Sequence, residues 1–187
     1  MEITIKRLDS SLENDFWSLH NESNGCGECF CAAWHTDDWV SWDKRSPADN
    51  RELREGLFKR QVHDGYLLYK SGQVVGWCQC DLRDTFVKLC RQYERPGEAK
   101  VWSINCLLLL EEYRGQHLAL EFVRLILADL QTRGALAVET FPRCGDELED
   151  EDAWTGPEGL YRQLGFRTIV EDSLHPVMRI NIPTGEK

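Results

Sequence analysis

The sequence predicts an α/β (α+β) domain over residues 1–187, a mixed sheet with helices on its faces. Three observations carry that reading. Short alternating or β-branched segments read as strands at the start, middle and end of the chain. Two segments carry helix start signals, and a third has a wide apolar face. Near the middle, a buried strand runs through a short glycine-containing turn directly into the longest helix.

Glu2 to Leu8 alternates apolar and polar and predicts a strand. Ser10 or Ser11 can cap a helix running to His20, and Asn21 to Gly27 reads as a loop. Ser46-Pro47-Ala48-Asp49 is a second helix start, a hydroxyl cap followed by proline and an acid in the first turn. That helix is expected to stop near Asp64-Gly65. Tyr66 to Lys70 and Gln73 to Asp81, joined by Ser71-Gly72, predict a hairpin. Arg83 to Glu98 holds one or two amphipathic helical turns, and Lys100 to Leu109 is a buried strand. Gln116 to Thr132 is the most regular helix: Leu118, Phe122, Val123, Ile126 and Leu130 face one way, Glu121, Arg124 and Gln131 the other. Gly134 stands at its C-terminal cap. A strand over Leu136–Phe141, an acidic loop over Gly145–Ala153, a helix over Gly156–Leu164 and strands over Phe166–Glu171 and Val177–Ile182 complete the chain.

Composition narrows the function. The 187 residues carry 22 Lys+Arg against 32 Asp+Glu, a net charge of -10. Such a surface repels phosphate backbones, which argues against nucleic acid and for a cationic ligand. No apolar run approaches the ~18 residues of a membrane span, and the first residues alternate, unlike an export signal. Eight cysteines are too few for a disulfide scaffold and read as reduced thiols in a cytoplasm.

The chemistry points to Leu107-Leu108-Leu109-Leu110-Glu111-Glu112-Tyr113-Arg114-Gly115-Gln116-His117-Leu118-Ala119. A strand ends in a basic turn that opens a helix, and the first helical amides have no partners inside the helix. Arg114 adds fixed charge and Gly115 permits close backbone approach, so the segment reads as a pyrophosphate cradle. It lacks the Gly-Lys-Ser/Thr of a Walker loop and the glycine spacing of a dinucleotide fingerprint.

Arg114 to Ala119 resembles the Arg/Gln-x-x-Gly-x-Gly/Ala loop of the GNAT superfamily of acetyl-CoA-dependent N-acetyltransferases. Leu160-Tyr161-Arg162-Gln163-Leu164-Gly165-Phe166 is similar to that family's Leu-Tyr-x-x-x-Gly-Phe segment, and the element order also matches. His117 stands where the family carries a second loop glycine; Trp154 and Pro157 stand where it carries Asn and Ala. The resemblance implies a mostly antiparallel sheet with splayed central strands, and acetyl-CoA as co-substrate. It implies an amine acceptor, a small molecule or peptide, attacking the thioester directly. Leu107, Leu108 and Leu109 would bind the pantetheine arm, Arg114 to Ala119 the pyrophosphate, and Tyr161 would protonate the departing thiolate. With no acid between Glu98 and Glu111, Glu139 is the candidate base, with Asp81 acting through water as the lesser option.

Cys26, Cys29, Cys31 and His35 offer three thiols and an imidazole, but their spacing is tighter than standard zinc sites, and no metal is expected. The alternative function is a non-catalytic module of the same fold that senses zinc or redox state through Cys26–Cys31. A homodimer is left open.

Overall fold

The computed structural model describes residues 2–23, 27–145 and 152–183. Seven strands form one sheet in the order β1-β2-β3-β4-β5-β7-β6. They are β1 Ile3–Arg7, β2 Gly65–Lys70, β3 Gln73–Leu82, β4 Val101–Leu109, β5 Ala137–Thr140, β6 Arg167–Val170 and β7 Val177–Asn181. Every pair is antiparallel except β4 and β5, which run parallel. A parallel pair needs a crossover, and helix α5, Leu118–Thr132, supplies it. The other helices are α1 Glu13–Glu22, α2 Trp39–Trp42, α3 Pro47–Lys59, α4 Val87–Gln92 and α6 Glu158–Gln163.

Helix ends differ from the sequence expectation where side-chain identity hides the cap. Asp9, not Ser10 or Ser11, caps the first turn by accepting from the Ser11 N–H, and α1 itself begins at Glu13 and continues through Glu22. Ser46 caps α3 as expected, with Asp49 closing the reciprocal bond. That helix ends at Lys59, short of Asp64, because Gln61 takes φ +60. The Gln61 and Val62 amides then bond back to Phe58 and Leu57, a stop usually written with glycine. Gly134 at φ +74 ends α5 in the same way. Most of the expected acidic loop, residues 146–151, lies outside the described residues.

The sheet separates two apolar layers. On one face α5 lays Phe122, Val123, Ile126 and Leu130 against Cys78, Val138 and their neighbours. On the other, α1 and α3 bury Phe16, Leu19 and Phe58 against Leu67 and Trp77. A third, aromatic group of Trp34, Phe86, Leu89, Phe141 and Val177 covers the end of that second face.

β4 is irregular at one residue. Cys80 faces Ile104 and Gln79 faces Cys106, so Asn105 is an extra residue with no partner on β3. Before this bulge, Trp102 and Ile104 pack on the α5 side; after it, Cys106, Leu108 and Leu110 belong to the opposite layer. Pairing with β5 ends at the same place, at Ile104 and Thr140.

His20 in α1 is 3% exposed and lies against Phe16, its Nδ1 2.9 Å from the Phe16 carbonyl. Burial lowers its pKa to about 3. The unfolded chain takes up a proton here below pH ~6.5 and the folded one does not, so stability falls with pH from that point. We expect a loss of about 2 kcal/mol between pH 7 and pH 5 from this group. Urea midpoints at the two pH values should show it, and His20→Leu should flatten the difference.

Candidate active site

The site begins where β4 and β5 part. The Leu110 amide donates to the Val75 carbonyl at 3.1 Å, so the end of β4 stays tied to β3. Strand alternation then turns the peptide groups of Leu107 and Leu109 toward the side that β5 has left. The Leu109 carbonyl accepts from Arg114 Nε at 3.2 Å.

A short 3-10 turn, Glu111–Tyr113, leads from β4 to the turn before α5. Gly115 has φ +69, and a Cβ there would meet no atom within 4 Å, so the turn is open. His117 has φ +58 and is the N-cap of α5 without giving the helix a side-chain bond. It adopts the left-handed backbone that the glycine of the resembling pattern would take. Arg114, Gly115, Gln116 and His117 are all exposed, whereas Leu118 is buried. The Gln116 amide nitrogen donates to the Glu112 carbonyl at 2.7 Å, and its oxygen accepts from Lys70 Nζ at 2.8 Å. Lys70 ends β2 and is brought here by the sheet, so no local pattern announced it. An open helix start flanked by two cations suits an anionic phosphate group.

Tyr161 lies on α6, whose end explains the Leu-Tyr-x-x-x-Gly-Phe pattern. Gly165 takes φ +90, its amide bonds to Arg162, and the Phe166 amide bonds to Tyr161. The ring contact that accompanies this helix stop is Tyr161 on Phe166, with centroids 5.4 Å apart. The tyrosine is fully buried, burial pushes its phenol up, and its hydroxyl donates to the Thr155 carbonyl at 2.6 Å. Gly156, at φ +85, passes so close that a Cβ would stand 2.5 Å from that hydroxyl. Trp154 leans on Trp34 at 5.8 Å, and Pro157 is the N-cap of α6.

Glu139 does not sit as an open base. It is fully buried and accepts from Arg83 at 3.0 Å, from Arg95 at 2.9 and 3.1 Å, and from Arg179 at 3.2 Å. With both oxygens held by three guanidinium groups, no lone pair is left for a substrate proton. The expectation is corrected: Glu139 ties β5 to β7 and to the segment after β3. Asp81 is half-buried and paired with Arg7 at 3.3 Å.

A second buried carboxylate lies on the α1 side of the sheet. Asp64 accepts from Arg54 at 2.6 Å, from Gln79 at 2.6 Å and lies 2.7 Å from His35 Nε2. Burial pushes this carboxyl up, but Arg54, His35 and Gln79 outweigh it and hold it well below the usual range. Asp64 thereby fixes the imidazole of His35, whose Nδ1 makes no hydrogen bond among the described residues. Gln79 is the β3 residue opposite Cys106, so His35 lies one side chain from the bulge. Among the described residues, Ser103 Oγ, both amide atoms of Asn105 and Trp34 Nε1 are buried without hydrogen-bond partners. His35 Nε2 is taken up by Asp64, and Cys26, the first of the four candidate zinc ligands in the sequence, lies outside the described residues. Among the described residues no group of three or more His, Cys, Asp or Glu side chains could hold a metal ion, and no helix is long and apolar enough to cross a membrane.

Comparison with known proteins agrees with this architecture. The aminoglycoside acetyltransferase AAC(6')-Ib, solved with coenzyme A, superposes with a TM-score of 0.63 at 17% identity, covering 96% of this chain and 95% of that one. The PaiA N-acetyltransferase of Thermoplasma acidophilum, also solved with coenzyme A, gives 0.57 at 14% identity over 97% and 99%. The ribosomal-protein-S18-alanine N-acetyltransferase of Escherichia coli gives 0.56 at 12% identity over 100% and 97%. At these identities the likeness is one of fold. No curated protein sequence matches the chain. The model of the Acetyltransferase (GNAT) family matches residues 30–166. The chain therefore belongs to the GNAT acetyltransferase family.

Proposed function

We propose that this protein transfers an acetyl group from acetyl-CoA to a primary amine. The observation that carries the reading is the fork at Ile104, where β4 parts from β5 and leads through its own open edge into an exposed cationic helix start. Acetyl-CoA, when bound, supplies an activated thioester. Arg114, Gly115, Gln116, His117 and the first amides of α5 at Leu118 and Ala119 would hold its pyrophosphate, with Lys70 as a second cation. Peptide groups of Leu107 and Leu109 would bond its amide arm, while Leu108 anchors the strand from the opposite layer. An open-edge N–H aimed at the thioester carbonyl would stabilise charge that develops on that oxygen.

Burial keeps the Tyr161 phenol protonated, and to serve the departing sulfur its proton would turn away from the Thr155 carbonyl that it now bonds. On the other face, His35 is the proton acceptor that this geometry supports best. Asp64 fixes its Nε2, which leaves Nδ1 to take a proton from an ammonium acceptor. The acceptor is read as a cationic amine. The chain is strongly acidic, and the aromatic wall beside His35 already accommodates an ammonium: Lys88 Nζ lies 3.8 Å from the Trp39 ring centroid and 5.7 Å from that of Trp34. Ser103 and Asn105, beside the point where β4 and β5 part, carry buried polar atoms that make no hydrogen bond among the described residues. Seven cysteines outside any disulfide among the described residues suit a reducing, cytoplasmic compartment.

Three measurements test this reading. Arg114→Ala should weaken acetyl-CoA binding by ~1–3 kcal/mol by calorimetry, and Gly115→Val at least as much. Unchanged binding in both would remove the cradle. With an acceptor found by thiol release across a panel of amines, Tyr161→Phe should lower kcat by ~10²–10⁴-fold in a protein that still folds. Full activity sinks the acid role. His35→Gln should lower kcat by ~10²–10⁴-fold while acetyl-CoA affinity holds, and an unchanged kcat would return the base to another group.

A further inference from the structure

Two thiols far apart in sequence meet beside the fork. Cys31 Sγ and Cys106 Sγ are 3.0 Å apart, across 75 residues, and both side chains are buried. A disulfide bond is ~2.05 Å long, so closure needs a movement of ~1 Å.

The approach is built by the surrounding structure. Phe30 and Cys31 both have φ +42, a left-handed backbone that bulky side chains rarely adopt. Arg54 holds this turn through Nε on the Phe30 carbonyl at 2.9 Å and Nη2 on the Cys31 carbonyl at 2.6 Å. Gln79 adds a bond to the same Cys31 carbonyl at 2.9 Å. Gln79 is also the residue that faces Cys106 across β3 and β4. One side chain thus clamps the backbone of the first cysteine over the strand position of the second. Cys78 and Cys80 belong to the opposite layer and do not share this arrangement.

We propose that Cys31 and Cys106 form a reversible intramolecular disulfide in the folded protein when it meets a peroxide. Each thiol gives up its hydrogen, the two sulfurs join, and the O–O bond of one hydrogen peroxide breaks to yield two waters. A dithiol reductant reverses the reaction by exchange. Burial pushes the Cys31 thiol up, so neither general nucleophilicity nor exposure selects this thiol; proximity does, and Cys29, whose thiol also hydrogen-bonds Cys31, is the competing neighbour that Cys29→Ser removes. The inference does not rest on the acetyltransfer reading. Its consequence falls on that site, because Cys106 adjoins the Asn105 bulge and Cys31 precedes the turn that carries Trp34 and His35. The bond would lock that turn to β4.

The test treats the intact folded chain with hydrogen peroxide, then blocks remaining thiols and digests with trypsin without reduction. Cys31 falls in the tryptic peptide of residues 8–44 and Cys106 in that of residues 101–114. The two peptides should appear linked, with fragment ions assigning the bond to Cys31 and Cys106. The link should persist in Cys29→Ser and vanish in Cys31→Ser and Cys106→Ser. The oxidised wild type should melt ~5–10 °C higher, and dithiothreitol should reverse the shift. Absence of the linked pair in the wild type overturns the proposal, as does its survival in Cys31→Ser. Fragment ions from the wild type decide the matter even if a serine variant fails to fold.

Discussion

β4 is paired on both edges for only half its length. Through Ile104 it is an interior strand, bonded to β3 and β5; from Asn105 onward it keeps β3 and loses β5. Backbone groups in a sheet interior are consumed by their neighbours, so a strand that serves a ligand must be relieved of one neighbour without fraying. The Leu110 bond to Val75 and the covalent run into α5 keep the freed half in place. The bulge does the second part of the work. By inserting Asn105 it exchanges the faces of β4, so that Leu107 and Leu109 side with α5 while Cys106 and Leu108 turn to the α1 layer. The fork, the turn at Arg114 and the unpartnered polar groups of Ser103 and Asn105 all follow on this one relief of pairing.

Two buried carboxylates brace the sheet on either side of the fork. Glu139 gathers Arg83, Arg95 and Arg179; Asp64 gathers Arg54, Gln79 and His35. Neither arrangement is cheap, since each ion leaves water, and removing one partner from such a group costs more than the pair contributes. What they provide is direction. Arginine's planar fork fixes geometry as a hydrophobic contact would not, and Asp64 uses it to aim both an imidazole and a strained turn.

Strand positions, the hairpin and α5 were legible in the sequence because period and apolar content are local properties. The segment proposed as the cradle was legible for the same reason: a strand, a basic glycine turn and a helix are contiguous. Tyr161 was proposed as the acid through a pattern whose physical content is a helix stop, with Gly165 supplying the left-handed backbone and Phe166 the covering ring. What escaped depended on distance in the chain. Lys70 reaches Gln116 across 46 residues, and Glu139 meets Arg83 across 56; no window along the sequence contains either pair. Glu139 therefore looked like a lone acid on a strand when it is a shared one. Gln61 ending α3 escaped because the backbone conformation, not the residue type, makes that stop.

The helix stop at Gly165 couples two things usually kept apart. The same short motif that ends α6 also sets where the Tyr161 hydroxyl lies, since that side chain both covers the stop and reaches Thr155. A bulky residue at position 165 would have to leave φ +90, and the end of the helix would move with it. Selection for lost activity would then return Gly165 beside Tyr161. A mutational map read by activity alone would mark as chemical a glycine whose whole contribution is to the path of the backbone.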